Sequence, residues 1–498
     1  MPKLDSLIVL IESMDATEKR YFQMHTKMHT GKKDYQLLFD LILQEGFSGE
    51  EIKARFKKQR PESNFEITCS HLYQTLLKKL SVKEGESDIE FRVLDACRHS
   101  RFLFKRNLFA DAFQLIEKYK AIALEYELFG PFLMLAKLEI SFYNQLEFSE
   151  IDENTLVRLQ SKIESVSRQQ RSIENHTGLY NLISIRQIKQ GTIRTDQEKE
   201  KLNDLAFNEL QAVSGQLKNS FEAQKLHLLF QSAYFMKMAN PKSSLKVYYE
   251  LNELFENNRK LWEDGPHSYI NHLKGILNNL RWFDHYDEMP FFVNKMKDLL
   301  PGLSRDKYVH CLVYLFESLI LTDQKKFGEA LEHLEKQSTD WIEKSVSLPF
   351  GSRIEMALQI ATVYFWNNEL KKALKIIGPL LNAGKPFMQL PLFKTLRFLN
   401  ILIHYELGNF DYLDSEIRSF ERDLLKRKKL HKSEKIILKG IKLCNNESLQ
   451  PKRTLILNRQ IEKLNVLKND PYENQLIESF DFLGWFETKI QSVSLMER

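Results

Sequence analysis

Between Ile354 and Leu381 the chain reads IEMALQIATVYFWNNELKKALKIIGPLL, and its apolar positions follow the period of two short amphipathic helices. A tight turn at Asn367-Asn368-Glu369 joins them. Small residues stand where the helices must approach closely, Ala361 on the first and Ala373 on the second, while Tyr364 and Leu370 supply larger knobs. Pro379 and Pro386 punctuate the far end. Alone, such a hairpin buries part of its apolar surface, so it needs neighbours on both sides.

The same pattern recurs. Ala233, Leu277, Ser318, Ala361 and Ile401 align on successive first helices, and Leu245, Met289, Ala330, Ala373 and Leu413 align on the second helices. Within each pair the offset is constant at twelve, as from 361 to 373, while pairs recur at intervals of 40 to 44. Earlier pairs are predicted at Phe91–Lys105 with Leu108–Leu124, Pro131–Leu146 with Glu153–Arg168, and Thr177–Gln190 with Gln197–Val213, with Ala112 at the first crossing.

The N-terminal stretch differs. Helices are predicted from Ala16 to His29 behind an Asp15 N-cap, then over Tyr35–Gln44, Glu50–Lys57 and Phe65–Leu80, with a turn at Gly46–Gly49. A short helix and then one carrying His71, Gln74 and Lys78 is the order of a DNA-reading helix-turn-helix, and Lys53, Arg55, Lys57, Lys58 and Arg60 are the candidate phosphate contacts. Glu50, Glu51, Glu62 and Glu66 offset those cations, and a helical cap on the hairpin array is the competing reading. The polar stretch Ser81–Glu90 is the candidate linker. The division is therefore 1–85, an N-terminal helical domain; 86–420, the hairpin array; and 421–498, basic helices with a C-terminal cap.

Ala361, Tyr364, Leu370, Ala373 and a following proline resemble the tetratricopeptide repeat, as do Leu321, Phe327 and Ala330, and Gly408 with Phe410. The resemblance covers about five pairs between Leu226 and Phe420, each longer than that family's usual repeat of about 34 residues. It implies an all-α fold, a right-handed α-solenoid whose first helices line a concave groove for a protein or peptide segment. The facing positions it implies are His227, Phe230, Tyr234 and Lys237, then Asn271, Lys274, Asn278 and Arg281, and further on Phe365, Trp366, Phe398 and Tyr405. Lys274 and Asn278 resemble half of the family's carboxylate clamp. The positions of the other half hold Leu315, Leu319, Leu358 and Thr362.

Composition narrows the remaining classes. The 498 residues are 43% hydrophobic and 28% charged, with low Gly and Pro, a helical balance. No apolar run approaches the eighteen or so residues that span a bilayer, and the start lacks the basic leader of a secretory signal, so the expected location is cytoplasmic. Cys69, Cys97, Cys311 and Cys444 form no paired spacing and read as buried thiols. From Glu421 to Lys468 there are 14 Lys or Arg against 5 Asp or Glu, a local +9 within a total of +5. Lys428, Lys429 and Lys432 in that stretch are further candidate nucleic-acid contacts. Phe480, Phe482, Trp485 and Phe486 read as a capping helix, with a partner-docking patch as the alternative.

Candidate chemistry is sparse. His25 and His29 lie one helical turn apart, but Thr26 stands where the metalloprotease pattern needs Glu. Gly378–Lys385 imitates a phosphate loop with one residue too many and Pro386 in place of the metal-binding Ser or Thr. The expectation is a chain with no catalytic residue, metal or cofactor. It binds a protein or peptide, with nucleic acid as the alternative partner.

Overall fold

The computed structural model describes residues 4–27, 33–44, 48–190, 196–213, 220–238, 240–263, 265–303, 307–337, 348–383, 390–426, 431–445, 453–470 and 473–496. Among them are 24 α-helices and no strand. The chain divides into two compact units, Met1–Gln170 and Arg171–Arg498.

In the first unit, α1 (Leu4–Ser13), α2 (Ala16–Lys27), α3 (Asp34–Leu43), α4 (Gly49–Gln59) and α5 (Phe65–Ser87) close on one core of Leu7, Ile11, Phe22, Leu38, Phe39, Ile52, Phe56, Phe65 and Leu72. The Asp15 cap is present: its carboxylate accepts the Glu18 N–H, and Glu18 accepts the Asp15 N–H in return. Ser48 and Glu51 form the same reciprocal cap on α4. The expected linker is helix instead. α5 continues to Ser87 and α6 (Ile89–Phe104) starts at once behind Asp88, whose side chain accepts the Phe91 N–H. Gly85 alone does not stop a helix whose other residues tolerate one. α7 (Phe109–Glu125) and α8 (Phe129–Gln145) come next, with Phe104 stacked on Phe142 at 3.8 Å.

Two helices predicted at Glu153–Arg168 and Thr177–Gln190 are one, the 38-residue α9 (Glu153–Gln190). The intervening Gln169–His176 holds neither Pro nor Gly, so nothing breaks the backbone ladder there. Pairings drawn through that point do not hold as separate hairpins. The second unit goes on with α10 (Asp196–Val213), α11 (Phe221–Lys237), α12 (Pro241–Asn257), α13 (His267–Trp282), α14 (Met289–Leu299), α15 (Lys307–Asp323) and α16 (Phe327–Glu335). Then come α17 (Phe350–Trp366), α18 (Leu370–Ala383), α19 (Pro391–Glu406), α20 (Phe410–Lys426), α21 (Lys432–Asn445), α22 (Arg453–Leu467), α23 (Asn474–Ser479) and α24 (Phe482–Met496). Pro379 lies inside α18 and does not end it.

Five antiparallel pairs, α11/α12 to α19/α20, pack within themselves. α12 also packs on α13, α14 on α15, α16 on α17 and α18 on α19, while α13, α15, α17 and α19 touch in succession. The aligned residues Leu277, Ser318, Ala361, Ile401, Met289, Ala330, Ala373 and Leu413 are all fully buried. The first pair is shifted by one residue. Ser232 and Ser244 are the buried contact, Ser244 Oγ donating to the Ser232 carbonyl at 3.2 Å, and Ala233 is half-buried. The offset of twelve survives the shift.

The turns explain that constancy. Asp284 (φ 56°), Lys325 (60°), Asn368 (61°) and Gly408 (71°) each take the left-handed conformation immediately after a first helix. The next N–H then closes back on the helix: His285 on Leu280, Lys326 on Leu321, Glu369 on Tyr364 and Asn409 on His404, at 2.8 to 3.0 Å. This is the Schellman closure, which permits one chain length between the helices it joins.

Candidate functional site

The residues nominated for the groove lie on first helices, but most are already engaged. Lys274 on α13 pairs with Glu355 on α17 at 2.5 Å, past the intervening α15. Burial lowers the pKa of this ammonium, and Glu355 outweighs it, leaving a net rise. Arg281 forks onto both carboxylate oxygens of Asp323 at 2.5 and 2.9 Å, and a third bond reaches the Glu478 carbonyl at 3.2 Å. Asn271 accepts a bond from the Tyr308 hydroxyl at 3.2 Å, and Asn278 is exposed. On α11, His227 lies against the Glu209 carboxylate, Tyr234 stacks on Phe230, and Lys237 is buried. Burial, with Arg186 nearby, holds the Lys237 ammonium down to about 8.

The aromatic nominees are covered by the chain's own C-terminal segment. Trp366 is sandwiched between Phe327 at 4.9 Å and Phe480 at 6.0 Å, and Phe365 meets Phe480 edge-on. Phe398 abuts Phe482, and Tyr405 abuts Trp485. Polar pins accompany the rings: Thr395 with Ser479 at 2.7 Å, Trp485 Nε1 donating to Glu406 at 2.6 Å, and Lys489 on the same carboxylate. Glu473 fastens the start of the segment. Its carboxylate accepts the backbone N–H groups of Lys432 and Ser433, capping α21. Burial pushes this carboxyl up, but bonds from His431 and the helix N-terminus outweigh it and hold it at about 2. Phe480, Phe482, Trp485 and Phe486 are all buried, which favours the capping reading of this segment over an open docking patch.

Where α13, α15 and α17 end beneath this segment, a cavity of about 300 Å³ remains. Arg281, Asp284, Tyr286, Asp323, Gln359, Glu478 and Asp481 are among its lining residues. Of the lining, sequence reasoning nominated Arg281 and Trp366 for the groove but not the acidic residues around them, because α23 and α24 are far away in the chain and no local pattern announces where they dock.

Of the nucleic-acid candidates, Lys53 pairs weakly with Glu66 at 3.9 Å and Arg60 with Asp34 at 3.1 Å. Arg55, Lys57 and Lys58 are exposed on α4, and Lys432 is exposed at the start of α21. Lys428, Lys429, His29 and the Gly384-Lys385 end of the phosphate-loop imitation lie outside the described residues. Among the described residues, no helix is long and apolar enough to cross a membrane. No protein-family model and no curated protein matches this sequence.

Proposed function

We propose that this chain is a non-enzymatic scaffold, a right-handed α-solenoid of tetratricopeptide-like hairpins that binds a protein or peptide segment along its first helices. The observation that carries this reading is the seating of Asn474–Ser479 and Phe482–Met496 against first helices, with rings in sockets and polar pins at the edges. A face that accommodates one such segment has the chemistry to accommodate another where it is uncovered. The uncovered part includes the exposed Asn271 and Asn278 on α13. Reversing Lys274 or Arg281 would break ion pairs and confound folding with binding. The cleaner test is affinity capture from the native host with Asn278→Arg and Asn271→Arg. Loss of specific partners from a normally folded variant supports the reading, and an unchanged partner set removes this face from it.

A second reading, a transcriptional regulator whose N-terminal helices contact DNA, gains from one feature. α4 extends to Gln59, so its connection to α5 is Arg60–Asn64, shorter than the sequence implied. Lys57→Glu with Lys58→Glu would then abolish a salt-sensitive retention of random duplex DNA by the full chain. If the unaltered protein retains none at low salt, the regulator reading fails.

A further inference from the structure

We propose that the outward side of α21 is a docking surface for the phosphate backbone of a nucleic-acid duplex, held without regard to base sequence. Lys432, Lys435, Lys439 and Lys442 recur along this helix at steps of three, four and three. At about 100° and 1.5 Å per residue they fall within about 80° of arc and span about 15 Å. All four are exposed, while Ile437, Ile441 and Cys444 bury the opposite side. The nearby acids are committed elsewhere. Glu434, the one carboxylate of α21, is 1% exposed and accepts a bond from Lys394 at 2.7 Å. Glu473 accepts the backbone N–H groups at the helix start. On the preceding α20, Glu416 and Asp423 each lie 2.8 Å from Arg397, and Glu421 pairs with Lys442 at 2.7 Å. Among the described residues no carboxylate pairs with Lys432, Lys435 or Lys439.

Charge density and what the face lacks select the occupant. A duplex carries one negative charge per about 1.7 Å of its axis, against at most one per about 3.3 Å along an extended acidic peptide. Over the length of the lysine row it therefore offers the greater compensation. α21 has no aromatic residue, hence no platform on which unpaired bases could stack. Among the described residues, no exposed large apolar side chain lies on α21, so nothing there would enter a lipid interface. The surface rests neither on the partner face of the first helices nor on the α4 lysines.

Anisotropy titrations of the full chain with a short random-sequence DNA duplex, over a series of salt concentrations, test the surface. The logarithm of the binding constant falls against that of salt with a slope of about −3, as release of counterions by the unpaired lysines requires. Lys435→Gln with Lys439→Gln makes the slope shallower by about 2 and weakens binding at low salt at least about tenfold. Both positions are exposed and Gln is as good a helix former, so the variant keeps its fold, as circular dichroism will verify. Lys246→Gln, at an exposed lysine of α12 outside the row, changes neither quantity. Absence of duplex binding at low salt overturns the proposal, as does an unchanged slope and affinity in the Lys435/Lys439 variant. Binding lost in the Lys57→Glu, Lys58→Glu chain but kept in the Lys435/Lys439 variant assigns the contact to α4 and overturns it too. So does equal or tighter binding of polyglutamate or of phosphatidylserine vesicles.

Discussion

At the scale of single residues, His272 is a costly group to bury. It is fully buried among Tyr248, Phe255 and Tyr269, and neither ring nitrogen has a hydrogen-bond partner. Burial, reinforced by Lys295 and opposed by Glu256, holds the imidazole down to about 3. Between pH 6.5 and 3 the unfolded chain therefore takes up a proton that the folded chain refuses. Stability falls as pH drops through that window, with a slope approaching about 1.4 kcal/mol per pH unit from this one group. His272→Phe removes that contribution, and chemical denaturation at pH 7, 6, 5 and 4 will show a shallower decline. At pH 7 the variant is at least as stable, because an unsatisfied ring N–H costs about 1–3 kcal/mol. Glu473 works in the opposite sense to a raised acid: its folded value lies below 4.5, so its stabilisation is intact above that pH and disappears as pH falls toward 2. Glu473→Gln lowers stability at pH 7 and flattens the acid limb from 4.5 downward, read by the same titration.

Among helices, three glycines predict three outcomes for one substitution. Gly178 sits in the interior of α9 with nothing near a would-be Cβ, so Gly178→Ala stabilises by about 1 kcal/mol. Gly408 closes the α19/α20 turn at φ 71°, so Gly408→Ala costs about 1 kcal/mol. At Gly440 a Cβ would lie 2.4 Å from the buried Phe486 ring, so Gly440→Ala costs about 1–3 kcal/mol and loosens α24. Urea midpoints rank the three. These positions also mark what the chain discloses by itself. The hairpins from α11 to α20 were readable because one turn geometry imposes one offset, and Ala361 with Ala373 displayed it openly. The Ser232/Ser244 register was concealed by Ala233 beside it, since serine and alanine are equally small. α9 was concealed because helix periodicity says nothing about whether a helix stops, and the weak polar stretch at Gln169–His176 looked like a boundary. The groove positions of α13 were legible as one face, but their partners were not: Glu355 lies 81 residues from Lys274, and no local pattern links them.

Across the second unit, the C-terminal segment and the ion pairs join parts of the chain that are distant in sequence. Phe482 is wholly buried against Phe398 and Phe480, so Phe482→Ala costs about 3–5 kcal/mol. Hydrogen exchange will show the loss spreading into α19, beyond α24 itself. Were every hairpin in contact with the next alone, the row could melt from an end one member at a time, its stability a sum of nearest-neighbour terms. Lys274 and Glu355 contradict that independence, because they tie α13 to α17 with α15 between them. The middle hairpin therefore has no private unfolding step while that tie holds, and because the tie is largely shielded from solvent, added salt will do little to restore one.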